Sequence, residues 1–181
     1  MNPQIENEIH SCVKVLREGG FIIFPNEIGW CIGCLITDSD SVSLLASQNY
    51  DHGAVLLEDE GKLNKYVREL PDTIWDLIRF STKPLSLLLA DALNLPQPIV
   101  AESGEAMFRI PKDEFTNTLL KKAGRPIFAA LLHSQLQPTR ETLILNKPGF
   151  VVNLRLSQKS TPEQLVIIRL APSGRIQFIK K

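Results

Sequence analysis

No apolar run in this chain approaches the ~18 residues that a membrane-spanning helix requires, so neither a span nor a membrane partner is expected. Cysteine is sparse. Cys12, Cys31 and Cys34 are odd in number and lack framework spacing, which argues against a disulfide scaffold and points to a reducing compartment. Neither sign of charge is in excess: 20 Lys plus Arg against 20 Asp plus Glu give a formal net charge of zero. That balance argues against a surface built wholly for nucleic acid, and it leaves a local basic patch open. Internal repeats, low-complexity tracts and long linkers are also missing. The first residues, MNPQIENEIH, are polar and acidic and do not read as a secretory or transit leader, so the expected location is cytoplasmic. What is present is a 181-residue chain with 44% hydrophobic residues, enough for one sizeable core without staples. The expected organisation is one domain over residues 1–181.

Periodicity gives the elements. Ile5, Ile9, Cys12, Val13 and Leu16 recur at helical spacing, and Gly19-Gly20 ends that helix. Phe21 to Phe24 reads as a buried strand running into the turn proline Pro25, and Trp30 to Ile36 as a second strand. Asp38 is placed to cap a helix carrying Val42, Leu44, Leu45 and Ala46. Ala54 to Leu57 reads as a strand, and helical patterns follow around Leu63 to Val67 and Ile74 to Phe80. Leu85 to Ala90 is apolar enough for a central strand, and Leu93 to Gly104, with Pro96 and Pro98, reads as a surface loop. Ala106 to Ile110 is a strand closed by Pro111, Asp113 caps a helix through Leu119 and Leu120, and Gly124 ends it. Strands are expected at Ile127–Leu132, Phe150–Leu154 and Leu165–Leu170, with Pro172-Ser173-Gly174 turning into a last strand, Arg175–Ile179. Strands alternating with helices predict an α/β fold with a mixed sheet covered by helices.

The order of features from Gly19 to Cys34, GGFIIFPNEIGWCIGC, is unusual: a helix, two glycines, an apolar strand, a proline turn, then a polar pair. It resembles the YrdC-like family, which includes the threonylcarbamoyl-AMP synthases, at Gly19, Gly20, Phe24, Pro25, Gly33 and Cys34. Asn26, Glu27, Ile28 and Trp30 stand where the family's P-T-D-T-x-Y motif has Thr, Asp, Thr and Tyr. The likeness continues in order. Thr82-Lys83-Pro84-Leu85-Ser86-Leu87 resembles the family's P-G-P-L-T-L segment, and Phe108-Arg109-Ile110-Pro111 its V-R-x-P strand end. Pro126-Ile127-Phe128-Ala129 resembles the strand before its S-A-N-x-S-G loop, and Ile167-Ile168-Arg169 its late I-x-R strand. The likeness implies a YrdC-like twisted mixed β-sheet flanked by helices. It also implies ATP with Mg2+, threonine, and RNA or tRNA as ligand classes, and a link to translation and tRNA modification. From the residues alone no cofactor and no metal are indicated.

The departures fall where the family holds ATP, its phosphates and threonine. Its K-x-R pair is replaced by Ser47-Gln48-Asn49-Tyr50-Asp51-His52, and its S-A-N-x-S-G loop by Leu131-Leu132-His133-Ser134-Gln135-Leu136. The family's later serine-threonine pair becomes Gly149-Phe150. Each lost cation removes charge-assisted bonds worth ~1.5–3 kcal/mol, so two losses weaken nucleotide binding by two or more powers of ten. Lys83, Arg109, Lys112 and Arg140 are the cations that could compensate.

The candidate ligand-binding residues are therefore Asn26, Glu27, Trp30, Ser86, Arg109, His133 and Arg169. Each also has a purely structural reading. Arg109 either grips a phosphate or carboxylate or makes an ion pair at a strand end. Ser86 either meets substrate or bonds within its strand. Pro25-Asn26-Glu27 is also ordinary turn chemistry. His133 is either a base or a solvated histidine, and Trp30 either stacks on a base or fills a half-buried strand position. Cys31 and Cys34 form a C-x-x-C within a strand, where i and i+3 face opposite sides, so they read as buried small residues rather than a metal or redox pair. Two functions stay open: a nucleotide- or RNA-binding module that lacks the synthase residues, and an active threonylcarbamoyl-AMP synthase using ATP, threonine and bicarbonate.

Overall fold

The computed structural model describes residues 2–48, 50–132, 146–154 and 162–180. The first helix, α1 (Pro3–Arg17), is capped by the Asn2 side chain, which accepts from the Gln4 amide. Its stripe of Ile9, Cys12, Val13 and Leu16 is buried. The helix stops because Gly19 takes a left-handed φ of +74°, and the Gly20 amide folds back to donate to the Val15 carbonyl at 3.0 Å.

Strands β1 (Phe21–Asn26) and β2 (Gly29–Leu35) form a hairpin in which Asn26 faces Gly29. The chain continues through α2 (Ser39–Ala46), β3 (Asp51–Leu56), α3 (Thr73–Phe80), β4 (Leu85–Leu89), β5 (Ala106–Arg109), α4 (Glu114–Ala123), β6 (Ile127–Leu131), β7 (Gly149–Val151), β8 (Val166–Leu170) and β9 (Ile176–Lys180). The nine strands of the described residues join one mixed sheet in the order β7-β1-β2-β6-β3-β5-β4-β8-β9. The pairs β7–β1, β3–β5 and β4–β8 are parallel; the others are antiparallel.

Helices cover both faces. On one side Ile9, Cys12 and Leu16 of α1 and Phe115 and Leu119 of α4 meet Ile22, Phe24, Leu56 and Ile127. On the other, Val42, Leu45, Ile74 and Ile78 of α2 and α3 meet Ile23, Ile32, Val55, Leu87 and Phe108. A strand buried on both faces must be apolar at every position, which is why β1 and β2 read as unbroken runs rather than alternating ones. Cys31 and Cys34 fall into opposite clusters, as their spacing in a strand requires.

The helical caps expected at Asp38 and Asp113 are present: Asp38 Oδ1 accepts from Ser41 N, and Asp113 Oδ1 accepts from Thr116 N. Gly124 ends α4 in the left-handed region. Three local expectations are corrected. The helix read around Leu63–Val67 is instead a 3-10 helix at Glu60–Lys65, because Gly61 and Asn64 are weak helix formers and Val67 is drawn into a bridge with Ala92. The strand read at Phe150–Leu154 is Gly149–Val151, paired with Phe21–Ile23 of β1, with one further bond from Val152 N to the Ile23 carbonyl. The Leu93–Gly104 loop contains a short 3-10 turn, Gln97–Ile99. Among the described residues, no helix is long and apolar enough to cross a membrane.

Candidate anion-binding site

Arg109 closes β5. Phe108 before it lies in the core beneath α2 and α3, so strand alternation turns the Arg109 side chain to the opposite face. There it is 1% exposed, the largest of the fully buried side chains. Antiparallel pairing sets Ser86 of β4 directly opposite Arg109. Arg109 Nε donates to Ser86 Oγ at 3.0 Å, and Nη2 donates to the His52 carbonyl oxygen at 3.2 Å. Burial lowers the pKa of the guanidinium, while Cys31, Glu27 and Asp113 act to raise it. Among the described residues Arg109 has no ion pair within 4 Å.

Buried acids stand close by. Glu27 lies in the turn between β1 and β2, where its Oε2 accepts from the Lys112 amide at 3.2 Å and its Oε1 is buried without a hydrogen bond. Burial raises its pKa, and the neighbouring Asp113 adds to that against the opposing bond from Lys112. Asp113 is likewise pushed up by burial, and its Oδ2 has no partner. Asn26 is buried; its Oδ1 accepts from Ile28 N at 2.8 Å and holds the turn, while Nδ2 is unpartnered. This patch therefore combines a fixed buried cation, a hydroxyl and several unsatisfied polar atoms. The Arg109 guanidinium has N–H donors beyond the two bonds it makes and could meet an anionic group, with Asn26 Nδ2 a further free donor, whereas the free oxygens of Glu27 and Asp113 oppose an anion unless protonated.

The remaining sequence candidates are dispersed. Arg169 Nε binds Glu105 Oε1 at 2.8 Å and Nη1 donates to Gln177, and neither group touches Arg109. Trp30 is half-buried on β2 against the core, and its carbonyl accepts from Leu132 N. Of the cations expected to compensate, Lys112 donates its Nζ to the carbonyls of Ile78 and Ser81, closing the end of α3. Lys83 lines a small hollow beside Glu27 and Ile110. His133 and Arg140 lie outside the described residues. Sequence reasoning missed the place of Asp113, which was legible only as a helix cap, and the His52 carbonyl, which no residue-type pattern reveals. Among the described residues no three His, Cys, Asp or Glu side chains come together as a metal site. The three thiols are free, and burial pushes each up to about 12.

Likeness to known proteins extends over most of the chain. The family model of Sua5, YciO and YrdC, described as telomere recombination, matches residues 14–180. An uncharacterized protein of Haemophilus influenzae is 26% identical over 137 residues, 72% of this chain and 65% of that protein. YciO of Escherichia coli is 23% identical over a stretch of the same length, 66% of its own. Each match thus spans just under two thirds of the relative. The crystal structure of E. coli YciO superposes with a TM-score of 0.77 at 19% identity, covering 99% of this chain and 91% of that one. P. abyssi Sua5 complexed with L-threonine gives 0.70 at 19% identity, covering 90% and 50%. These likenesses carry the fold: the mixed sheet between two helical layers is the architecture expected from the sequence.

Proposed function

This chain belongs to the Sua5, YciO and YrdC family, and from that premise we infer that it is a divergent YrdC-like protein that binds a nucleotide or RNA, holding one phosphate at Arg109. Its setting is translation or tRNA modification in the cytoplasm, as one domain over residues 1–181. The observation that carries this reading is Arg109 itself, a buried guanidinium bonded to Ser86 Oγ and a backbone carbonyl and, among the described residues, to no carboxylate within 4 Å, though Glu27 and Asp113 stand near enough to favour its charge. A buried cation is costly unless paired, and an incoming phosphate or carboxylate supplies the pairing. The described residues provide one such fixed cation, which fits one anionic group rather than the full charge of a triphosphate. Lys112, engaged at the end of α3, does not add a second.

The alternative reading is threonylcarbamoyl-AMP synthesis from ATP, threonine and bicarbonate. It is favoured by the Ser86–Arg109 bond at two positions that match the family motifs, and by the resemblance to a Sua5 structure holding L-threonine. In that reading Arg109 would orient a carboxylate or phosphate and neutralise developing charge.

The test is equilibrium binding of AMP, ATP with magnesium, threonine and double-stranded RNA to the wild type, Arg109→Met and Ser86→Ala. Losing the charged donors of Arg109 is expected to weaken the bound ligand ~10–100-fold, with a smaller loss for Ser86→Ala. A folded Arg109→Met protein that binds as the wild type does would refute the assignment. Incubation with threonine, bicarbonate, ATP and magnesium separates the readings: pyrophosphate and adenylate release establishes the synthase.

A further inference from the structure

A second polar cavity, of about 200 Å³, is lined by Thr37, Glu58, Lys62, Lys65, Tyr66 and Arg125 among others. The sheet register locates it. Strands β2, β3 and β6 meet at Leu35, Leu56 and Ile127, and Thr37, Leu57 and Pro126 lie just beyond that end. Cys31, Asp51 and Leu131 meet at the other end of the same strands, next to His52, whose carbonyl receives Arg109. Arg109 pairs with Leu56 and its carbonyl accepts from Leu57 N, so its backbone borders this end, but its side chain reaches Ser86 Oγ and the His52 carbonyl, and neither Ser86 nor His52 lines the cavity.

Its chemistry is one-sided. Lys62, Lys65 and Arg125 bring three cations, and Thr37 and Tyr66 bring two hydroxyl donors. Glu58 is the single acid among the described lining residues, its Oε1 lies 2.8 Å from Lys62 Nζ, and Asp59 also acts on Lys62, which accounts for one cation. Lys65 and Arg125 make no ion pair among the described residues. In a chain of zero net charge, two uncompensated cations around one hollow form a local positive field. Lys62 and Arg125 both stand near enough to Tyr66 to favour its phenolate, against the burial that raises its pKa.

The walls are held by bonds to backbone carbonyls. Tyr66 N donates to Leu63 O, Ile36 N donates to Pro126 O, and Asn117 Nδ2 donates to Glu58 O. The volume falls below the ~300–1,000 Å³ of sites for drug-sized ligands, so the occupant is small. We propose that this cavity binds a phosphate dianion, free or as a small phosphomonoester, with the planar fork of Arg125 and the point charge of Lys65 as its principal ligands.

The test is calorimetric titration of the whole chain in phosphate-free, low-salt buffer with inorganic phosphate, with glycerol 3-phosphate and with a short RNA duplex. Both small ligands, or inorganic phosphate alone, are expected to bind, and raised salt should weaken them. The double variant Lys65→Ala/Arg125→Ala should bind at least tenfold more weakly with an unchanged melting temperature, since both side chains are exposed. Arg125→Gln alone, a milder change, should lose at least threefold. Absence of binding by both small phosphates overturns the proposal, as does equal binding by the double variant. Binding of the duplex without either small phosphate also overturns it, because the cations would then serve a polymer surface.

Discussion

Replacing Gly20 by alanine is expected to destabilise the protein by about 1.5–4.5 kcal/mol, through a contact that the structure makes hard to relieve. A Cβ built on Gly20 stands 2.3 Å from the Pro148 carbonyl oxygen, 2.9 Å from the Pro148 carbonyl carbon and 2.7 Å from Val15 Cγ1. The carbonyl cannot simply retreat, because it accepts from the Phe21 amide at 2.8 Å, at the point where β1 begins to pair with β7. Val15 cannot readily turn away, because a β-branched side chain in a helix has one strongly preferred rotamer. Overpacking of this kind costs ~1–3 kcal/mol, and weakening the Phe21–Pro148 bond adds ~0.5–1.5 kcal/mol. For a chain of this size the sum corresponds to a fall in melting temperature of about 5–15 °C. The assay is thermal and urea unfolding followed by far-UV circular dichroism. Gly104→Ala is the reference: it shares no such contact, with nothing within 4 Å of its Cβ, and it loses only the ~1–2 kcal/mol of a left-handed residue. A Gly20→Ala protein within about 0.5 kcal/mol of the wild type would refute the view that β1 and the end of α1 are clamped at Pro148.

Three further outcomes follow from the same geometry. Asp113→Ala removes the cap on the Thr116 amide and should cost ~0.5–2 kcal/mol, read from urea midpoints; no loss would mean the 2.8 Å bond carries nothing. Glu27 has a folded-state pKa raised by burial, so the folded state binds more protons than the unfolded chain above the ordinary carboxylate range. Its contribution is fully present below the unfolded pKa and is lost as pH rises through the raised value. Stability measured from acid towards neutral pH should therefore decline less steeply in Glu27→Gln than in the wild type, and parallel curves would contradict this. Burial holds Cys12, Cys31 and Cys34 near 12, so none should react quickly with a thiol reagent at pH 8 in the native state, whereas all three should react in denaturant.

The parts of the fold that sequence made legible are those governed by near neighbours. The Asp38 and Asp113 caps, the Gly19 stop and the Gly124 stop each depend on residues within a few positions, and the structure places them as expected. Where local preference met a longer-range pull, the pull prevailed. Val67 left a helical pattern to bridge Ala92, and β7 is set by its pairing with Phe21–Ile23 of β1 rather than by its own apolar run. The candidate site was legible in residue type and not in connection. Arg109 and Ser86 stood out from the pattern, but their bond arises from antiparallel pairing of β4 with β5, and strand order does not follow from periodicity. Glu27 meets the Lys112 amide across 85 positions of sequence, a contact that no spacing rule contains. Lys112 illustrates the converse: a cation well placed in the sequence is engaged elsewhere, because the free carbonyls at the end of α3 attract it.

The parallel pairing of β1 with β7 bears on how the chain folds as it is synthesised. β1 ends at Asn26, yet its outer neighbour begins only at Gly149. At ~5–20 residues per second, β1 waits about 6–26 s with a bare flank before β7 emerges. During that interval an unbroken apolar strand presents open backbone donors and acceptors to any other nascent strand. A ribosome that pauses before residue 149 would prolong this exposure, so aggregation should track translation speed over residues 27–148 more closely than the stability of the folded chain.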